Sequence, residues 1–330
     1  MASIRDVAKL AGVSPATVSR VMNGTANVTE EKREKVLRAI SETDFVPNEV
    51  ARTLFKKSSK TIGFIIPSIQ NPYFTQMADV IDRAAKELGF RILLCNVEHD
   101  LDRERSAIQM LISANADGII IASNNSELQH ELSQCEIPVV ILDSLFRTKD
   151  VNAYIYCNYY QGGMMAAEHL HKCGCRKIVC IKGPQQLFTA QARYQGYVDF
   201  CEDNGIEQHS IECDYDFHAG MAITEELLSS YPDVDGIIAC NDIVAISIYK
   251  ILHKRNISVP EQIQLIGFDD VHLSSLISPE LTTIHQPIEE MGRKAISIIC
   301  DPDGLEKRGK QFVFPVHLIE RETTCMKKPL

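Results

Sequence analysis

Side chains able to hold a polyhydroxylated ring recur just beyond a series of short apolar runs. Asn71, Tyr73 and Phe74 follow the first run, Asp143 follows the run ending at Leu142, and Arg193 opens an Arg-x-x-Gly-Tyr segment. Phe217 lies in Tyr215-Asp216-Phe217-His218, and Asn241 follows the run ending at Cys240. Asp269 closes Ile266-Gly267-Phe268-Asp269, and Gln286 sits in His285-Gln286-Pro287. Aromatic faces stack on the C–H faces of a sugar, while carboxylates, amides and a guanidinium exchange hydrogen bonds with its hydroxyls. Any one of these residues could equally close a loop; the set predicts a carbohydrate site. A second chemistry lies near the N-terminus. Pro15, Ala16, Thr17, Ser19 and Arg20 share the outward face of a short helix, and a helix presented N-terminus first suits the major groove of DNA.

The local sequence around that helix predicts a small helical head. Ser3 can cap a first helix, with Asp6 as a shortened capping-box acid, and Val7, Ala8, Leu10 and Ala11 give it an apolar face. Gly12 stops it, since glycine accepts the backbone angles of a tight interhelical turn. Ser14 caps the second helix with Pro15 at its first position, leaving Val18 and Val21 facing inward. A third helix over about 30–43 supplies Val36, Leu37 and Ile40 to close the core.

From residue 61 onward apolar strands alternate with amphipathic helices. Strands are expected over 61–67, 92–95, 118–122, 138–143, 177–181, 236–240 and 264–269. Helices are expected over 73–88, 103–114, 162–172, 190–204, 219–229, 243–254 and 290–300. Strands that read as continuous apolar runs belong to parallel sheets covered on both faces, and this rhythm implies a doubly wound α/β body. Ligands in such bodies bind beyond the carboxyl ends of the strands, which is where the candidate site residues fall.

Composition narrows the class. The chain has 330 residues, 45% hydrophobic and 24% charged, ordinary for a globular protein long enough to bury a large core. Its net charge of −10 divides unevenly. Residues 1–60 hold eleven Lys and Arg against seven Asp and Glu, a net of +4, leaving −14 for the remainder. The head would attract phosphates and the body would be repelled by them. No secretory leader or membrane-length apolar run is read, so a cytoplasmic protein is expected. The 11 cysteines are scattered; Cys173-x-Cys175 is the one close pair, without a second pair or histidine frame for zinc. Reduced structural thiols are expected, with neither metal nor cofactor.

Ala11-Gly12-Val13-Ser14, then Thr17-Val18-Ser19-Arg20-Val21 and Asn23, followed by Pro47-Asn48, Ala51-Arg52 and Leu54, resemble the signature and hinge of the LacI/GalR family of bacterial transcription regulators. The resemblance runs to the C-terminus. It implies a helix-turn-helix head over 1–45, a hinge helix and linker over 46–60, and a two-lobed periplasmic-binding-protein-like core over 61–330. Lobe 1 would span about 61–158 and 288–318, and lobe 2 about 159–287 and 319–330. Three crossings would join them, near 158–160, 286–288 and 318–321. By the same resemblance Pro15 and Ala16 tune operator preference, and Ser14, Thr17 and Asn23 touch phosphates. Arg20 reads a base, with a phosphate contact as the alternative. The segment from Asn48 to Leu54 looks like a hinge helix that folds on operator DNA, with Leu54 as a minor-groove wedge. Phe45 departs from the tyrosine frequent there.

The cleft set Asn71, Tyr73, Phe74, Asp143, Arg193, Phe217, Asn241, Asp269 and Gln286 is similar to the ribose-binding constellation of the ribose operon repressors within that family. Here Ser144 follows Asp143 where such sites carry arginine, which removes a bidentate donor from the rim. Arg147 could reach in, or a larger sugar or polyol could fill the space. Arg147 and His272 are also candidate phosphate partners. The implied protein is a homodimeric repressor of a carbohydrate-utilisation operon, released from a pseudo-palindromic operator by a small sugar. No heptad tail for a tetramer is read near the C-terminus. The alternatives are a global or purine-type regulator of the same family using a corepressor or phosphoprotein, and a sugar-binding protein without a DNA role. An enzyme is disfavoured, because no Gly-x-Gly-x-x-Gly, phosphate loop or nucleophile elbow is present.

Overall fold

The computed structural model describes residues 2–22, 28–45, 58–123, 125–144, 151–301 and 308–326. Two compact units are distinguished, 1–59 and 60–330. In the first unit, helix α1 (Ile4–Ala11) begins with a full capping box: Ser3 accepts from the Asp6 N–H, and the Ser3 N–H donates to Asp6 at 2.8 Å. Gly12, with φ of 65°, ends it in the left-handed region that a side chain would resist. Ser14 Oγ then accepts from the Thr17 N–H at 3.2 Å and starts α2 (Pro15–Met22). With α3 (Glu30–Thr43), these helices bury Val7, Ala8, Ala11, Val18, Val36 and Ala39, with Val21 and Ile40 packed at the edge. The core differs from expectation at two leucines. Leu10 and Leu37 are 53% and 51% exposed, and Ala39 takes the position expected of Leu37. Small side chains let three short helices approach closely, and the larger ones are left at the rim.

The second unit holds two six-stranded sheets. The first has the order β11-β5-β4-β3-β1-β2, built from β1 (Thr61–Ile66), β2 (Arg91–Asn96), β3 (Gly118–Ile121), β4 (Val139–Leu142), β5 (Ala153–Cys157) and β11 (Lys310–Phe314), every pair parallel. Its helices are α4 (Pro72–Glu87), α5 (Leu101–Ser113), α6 (Gln129–Ser133) and α11 (Ile288–Ile299). The second sheet has the order β12-β10-β9-β8-β6-β7. It uses β6 (Ile178–Lys182), β7 (His209–Glu212), β8 (Gly236–Ile238), β9 (Gln264–Asp269), β10 (Thr282–His285) and β12 (His317–Ile319). Its helices are α7 (Tyr159–Lys172), α8 (Phe188–Asn204), α9 (Phe217–Ser230) and α10 (Asp242–Lys254). Strands in the sheet interiors are buried along their length, whereas the edge strands β2, β7 and β11 alternate or stay half exposed. Both faces of each sheet are covered by helices, so only edge strands can carry polar residues cheaply.

The chain passes between the sheets after β5, after β10 and after β11. The third passage lies at Pro315-Val316, earlier than the expected 318–321, because Leu318 already pairs with Ile284 in the antiparallel edge strand β12. Among the described residues no helix is long and apolar enough to cross a membrane. None of the eleven cysteines is in a disulfide, and Cys325 is the one that is exposed.

Candidate functional site

The carboxyl ends of β4 and β9 bring two buried aspartates to the cleft between the sheets. Asp143 and Asp269 both have positive φ, 56° and 115°. That region is costly for residues with a Cβ and is held only where the surroundings over-determine it. Tyr73, on the first turn of α4, donates its hydroxyl to Asp143 Oδ2 at 2.6 Å, and Tyr159, the first residue of α7, donates to Asp143 Oδ1. Burial pushes the Asp143 carboxyl above its usual range, and the two phenols and Arg193 draw it back down.

Arg193, on α8, is the hub of the opposite wall. Its Nη1 donates to the Cys240 carbonyl at 2.6 Å, and its Nη2 pairs with Asp269 Oδ1 at 3.4 Å. Its guanidinium lies 3.7 Å from the ring centroid of Phe268, 5.0 Å from that of Tyr159 and 5.8 Å from that of Tyr215. Gln286, in the second passage between the sheets, donates Nε2 to Asp269 Oδ1 at 2.7 Å. Asn241 caps α10, accepting from the Val244 N–H at 2.9 Å. Burial raises the Asp269 carboxyl, against the lowering pull of Arg193 and Gln286.

Several polar atoms in this set are buried without a partner: Arg193 Nε, Asn241 Nδ2 and Gln286 Oε1. The buried Tyr215 hydroxyl likewise lacks a partner in hydrogen-bonding geometry, with Thr189 its polar neighbour. Unsatisfied buried groups cost about 1–3 kcal/mol each, and Arg193, Asn241 and Gln286 belong to one set joined through the Cys240 carbonyl and Asp269.

The expected residues divide accordingly. Tyr73, Asp143, Arg193, Asp269 and Gln286 form one connected network through Tyr159 and the Arg193 rings, and Asn241 joins it beside Cys240. Asn71 caps α4 through the Tyr73 N–H at 3.0 Å, and Phe74 meets Tyr73 edge-on at 5.2 Å. Phe217 stands apart: its ring contacts run to His218 and to the Lys250 ammonium, while Tyr215 of the same segment faces Arg193. Ser144 is buried at 1% exposure, so the rim position lacks a guanidinium. Arg147 lies outside the described residues.

Tyr159, Tyr215 and Phe268 were not anticipated from sequence. Tyr159 is 1% exposed and its neighbour Tyr160 39%, a distinction that the Tyr-Tyr pair alone does not carry. Phe268 read as one more apolar strand residue.

On the head, Ser14, Pro15, Ala16 and Arg20 are exposed on one side of α2, with Thr17 and Ser19 partly so, while Val18 is wholly buried on the other. That face carries the hydroxyls of Ser14, Thr17 and Ser19 and the Arg20 cation beside Pro15 and Ala16. Asn23, Asn48 and Leu54 lie outside the described residues.

Residues 3–48 match the family of bacterial regulatory proteins named lacI, and residues 59–320 match the periplasmic binding proteins and sugar binding domain of that family. A ribose operon repressor of Halalkalibacterium halodurans is 35% identical over 328 residues, covering 98% of this chain and 97% of that protein. A lac repressor dimer bound to operator and an anti-inducer superposes with a TM-score of 0.88 at 28% identity, covering 98% of this chain and 99% of the other. A periplasmic binding protein/LacI regulator from Alkaliphilus metalliredigens, solved with D-xylulofuranose, reaches a TM-score of 0.71 at 35% identity, covering 80% of this chain and 99% of the other.

Proposed function

The chain belongs to the LacI family of bacterial regulatory proteins, and from that premise we propose that it represses a carbohydrate-utilisation operon until a small sugar enters the cleft. It is a DNA-binding regulator and not an enzyme. The observation that carries the sugar reading is that Arg193 Nε, Asn241 Nδ2 and Gln286 Oε1 are all buried and unpaired on residues tied together through Cys240 and Asp269, with the Tyr159 and Tyr215 rings near the Arg193 guanidinium. A pentose or related polyol has the hydroxyls to satisfy those atoms and the C–H faces to meet those rings. The D-xylulofuranose held by the Alkaliphilus relative is a ligand of this kind.

On the DNA side, Ser14, Pro15, Ala16, Thr17, Ser19, Arg20 and Asn23 are proposed to face the operator, with Asn48 and Leu54 in the hinge. A cytoplasmic homodimer would place one head in each half of a pseudo-palindromic site. Its pairing is supported by apolar side chains left exposed along the edge of the first sheet and its helices: Leu88, Leu93, Leu94, Met110 and Ile112. A sugar that binds the released conformation more tightly empties the operator in proportion to that difference.

The test is a thermal-shift panel of pentoses, hexoses and polyols on the full chain, followed by fluorescence anisotropy on operator DNA. A sugar at about a hundredfold its Kd adds about 2.7 kcal/mol to unfolding stability. A hit that also lowers operator occupancy supports the reading, and a panel without any hit overturns it.

A further inference from the structure

The cleft carries a charge arrangement that bears on which sugars it accepts. In this set of described residues one cation, Arg193, stands against two buried carboxylates, Asp143 and Asp269. That guanidinium is already committed: Nη1 to the Cys240 carbonyl at 2.6 Å, Nη2 to Asp269 at 3.4 Å, and its face to Phe268 at 3.7 Å. Nε has no hydrogen-bond partner among the described residues, and Nη1 and Nη2 each keep a second N–H, so the charge is offset by Asp269 while donors remain for ligand hydroxyls. On the facing wall Asp143 takes a tyrosine hydroxyl on each oxygen, from Tyr73 and Tyr159. Each carboxylate oxygen keeps a further lone pair, which accepts from a ligand hydroxyl and repels a ligand anion.

Resting on the sugar reading above, we propose that this cleft takes an uncharged polyhydroxylated ligand and rejects its phosphorylated counterpart, with Tyr159 as a specificity residue that joins Tyr73 in holding Asp143 as the carboxylate facing the ligand. The unpaired atoms agree with an uncharged ligand. Two are fixed donors, Arg193 Nε and Asn241 Nδ2, one is a fixed acceptor, Gln286 Oε1, and the Tyr215 hydroxyl serves either way. Hydroxyls satisfy all of them, because each both donates and accepts. A phosphate ester offers acceptors alone on its charged end, and would set about two negative charges among Asp143 and Asp269 with water excluded. An ammonium would meet the carboxylates but leave the two N–H donors unsatisfied. Tyr159 spans the two halves of the site: its hydroxyl fixes Asp143 beyond β4, and its ring lies 5.0 Å from the Arg193 guanidinium on the other wall.

Titration calorimetry of the full chain tests this with D-ribose, D-xylulose and D-ribulose against the 5-phosphates of the same sugars. The expected result is a free sugar bound at least a hundredfold more tightly than its phosphate. A phosphate bound as tightly or more tightly overturns the inference and leaves the sugar reading standing, whereas no binding by any of the six overturns the inference, and the sugar reading falls with it only if the wider panel of hexoses and polyols also gives no hit. Tyr159→Phe is expected to weaken the free sugar about tenfold. It also moves the acid limb of the affinity–pH curve to higher pH, since losing a donor raises the pKa of Asp143. The groups facing Asp143 are Tyr73 on α4, Cys157 on β5, Tyr159 on α7, Arg193 on α8 and Asp269 on β9, and the variant alters only one of them. A purely structural tyrosine would change stability without moving that limb. Unchanged affinity and an unmoved limb overturn the role given to Tyr159. If Tyr159→Phe does not fold, Tyr73→Phe reads the same carboxylate from its other oxygen, with the same two outcomes.

Discussion

The guanidinium of Arg193 lies 3.7 Å from the ring centroid of Phe268, and the next residue in the chain, Asp269, holds the same guanidinium by its carboxylate. Consecutive residues of a strand point to opposite faces, so one side chain does not ordinarily meet both. Asp269 reaches round because its φ of 115° has left the strand conformation. The positive φ is therefore what builds this wall of the cleft, joining an aromatic surface and a carboxylate on one arginine.

Arg193→Met keeps much of the stem that packs on Phe268 and removes the charge. Breaking a buried pair costs about 3–5 kcal/mol when the partner stays ionised. Burial raises the Asp269 carboxyl to about 6, so the partner can escape by taking up a proton. Thermal unfolding should show a larger deficit at pH 8 than at pH 5, with sugar binding lost at both. Equal deficits at the two pH values would mean that Asp269 does not titrate in this range.

Asp242 gives a second pH signature. It is wholly buried at the start of α10 and accepts from the Val271 N–H at 2.9 Å, Ser274 Oγ at 2.6 Å and Thr283 Oγ1 at 2.5 Å. Burial, with Asp269 adding to it, raises its pKa to about 7, against about 3.9 in an unfolded chain. Between those values the folded state holds the extra proton, so this group's contribution to stability falls as pH rises from about 4 to about 7. Burial lowers the pKa values of His99 and His169, which pulls the other way on acidification, so the comparison is made with a variant. Asp242→Asn should be more destabilised relative to the parent at pH 5 than at pH 8, by chemical denaturation at both. A deficit that instead grows toward pH 8 would place the charged form as the stable one.

Much of this was legible in the sequence where local chemistry decides structure. Ser3, Asp6, Gly12 and Ser14 announced the head through capping and turn geometry, and continuous apolar runs announced β1, β3, β4 and β9. The strands that escaped were β5, β7, β10, β11 and β12. Thr282-Thr283-Ile284-His285 and His209-Ser210-Ile211-Glu212 are short, polar and strand-like only because a neighbour pairs with them. Tertiary pairing overrides composition in such segments. In the site, strand-end logic pointed to Asp143 and Asp269, while Arg193, inside α8, and Gln286, after the missed β10, came from the family resemblance. The sequence reading assigned the aromatic of the 215–218 segment to Phe217 because the entry of α9 at that residue, which turns Tyr215 toward Arg193, is set by the fold.

Arg20 tests the DNA-facing helix. It is exposed on α2 opposite the buried Val18, so its loss should leave the head folded. If it reads a base, Arg20→Ala should cost about 1–3 kcal/mol on the operator and little on a shuffled duplex. Anisotropy titrations at several salt concentrations separate the cases: an equal loss on both duplexes with a shallower salt slope would make it a phosphate contact.

Two glycines decide where Arg193 sits. An ideal Cβ on Gly196 would lie 2.0 Å from the Tyr160 carbonyl oxygen, and one on Gly163 would lie 1.9 Å from the carbonyl oxygen of Arg193. Helices α7 and α8 thus touch backbone to backbone, and no side-chain adjustment can make room for a methyl group. Gly196→Ala must push the helices apart, at a cost of about 1–3 kcal/mol by the usual scale of overpacking. Because α7 carries Tyr159 and α8 carries Arg193, that separation also spreads the two groups that meet across the site, and sugar affinity should fall more than tenfold. Gly205→Ala is the control. Gly205 ends α8 with φ of 63° and open space around it, so the change should cost about 1 kcal/mol through backbone strain alone. Thermal unfolding and calorimetry on both variants give the answer: similar stability losses with affinity lost only in Gly196→Ala mark the helix contact as a positioning element. Equal affinity in the two would show that the cleft tolerates a shift of α8, and that Arg193 is placed by its own contacts with Cys240 and Asp269 instead.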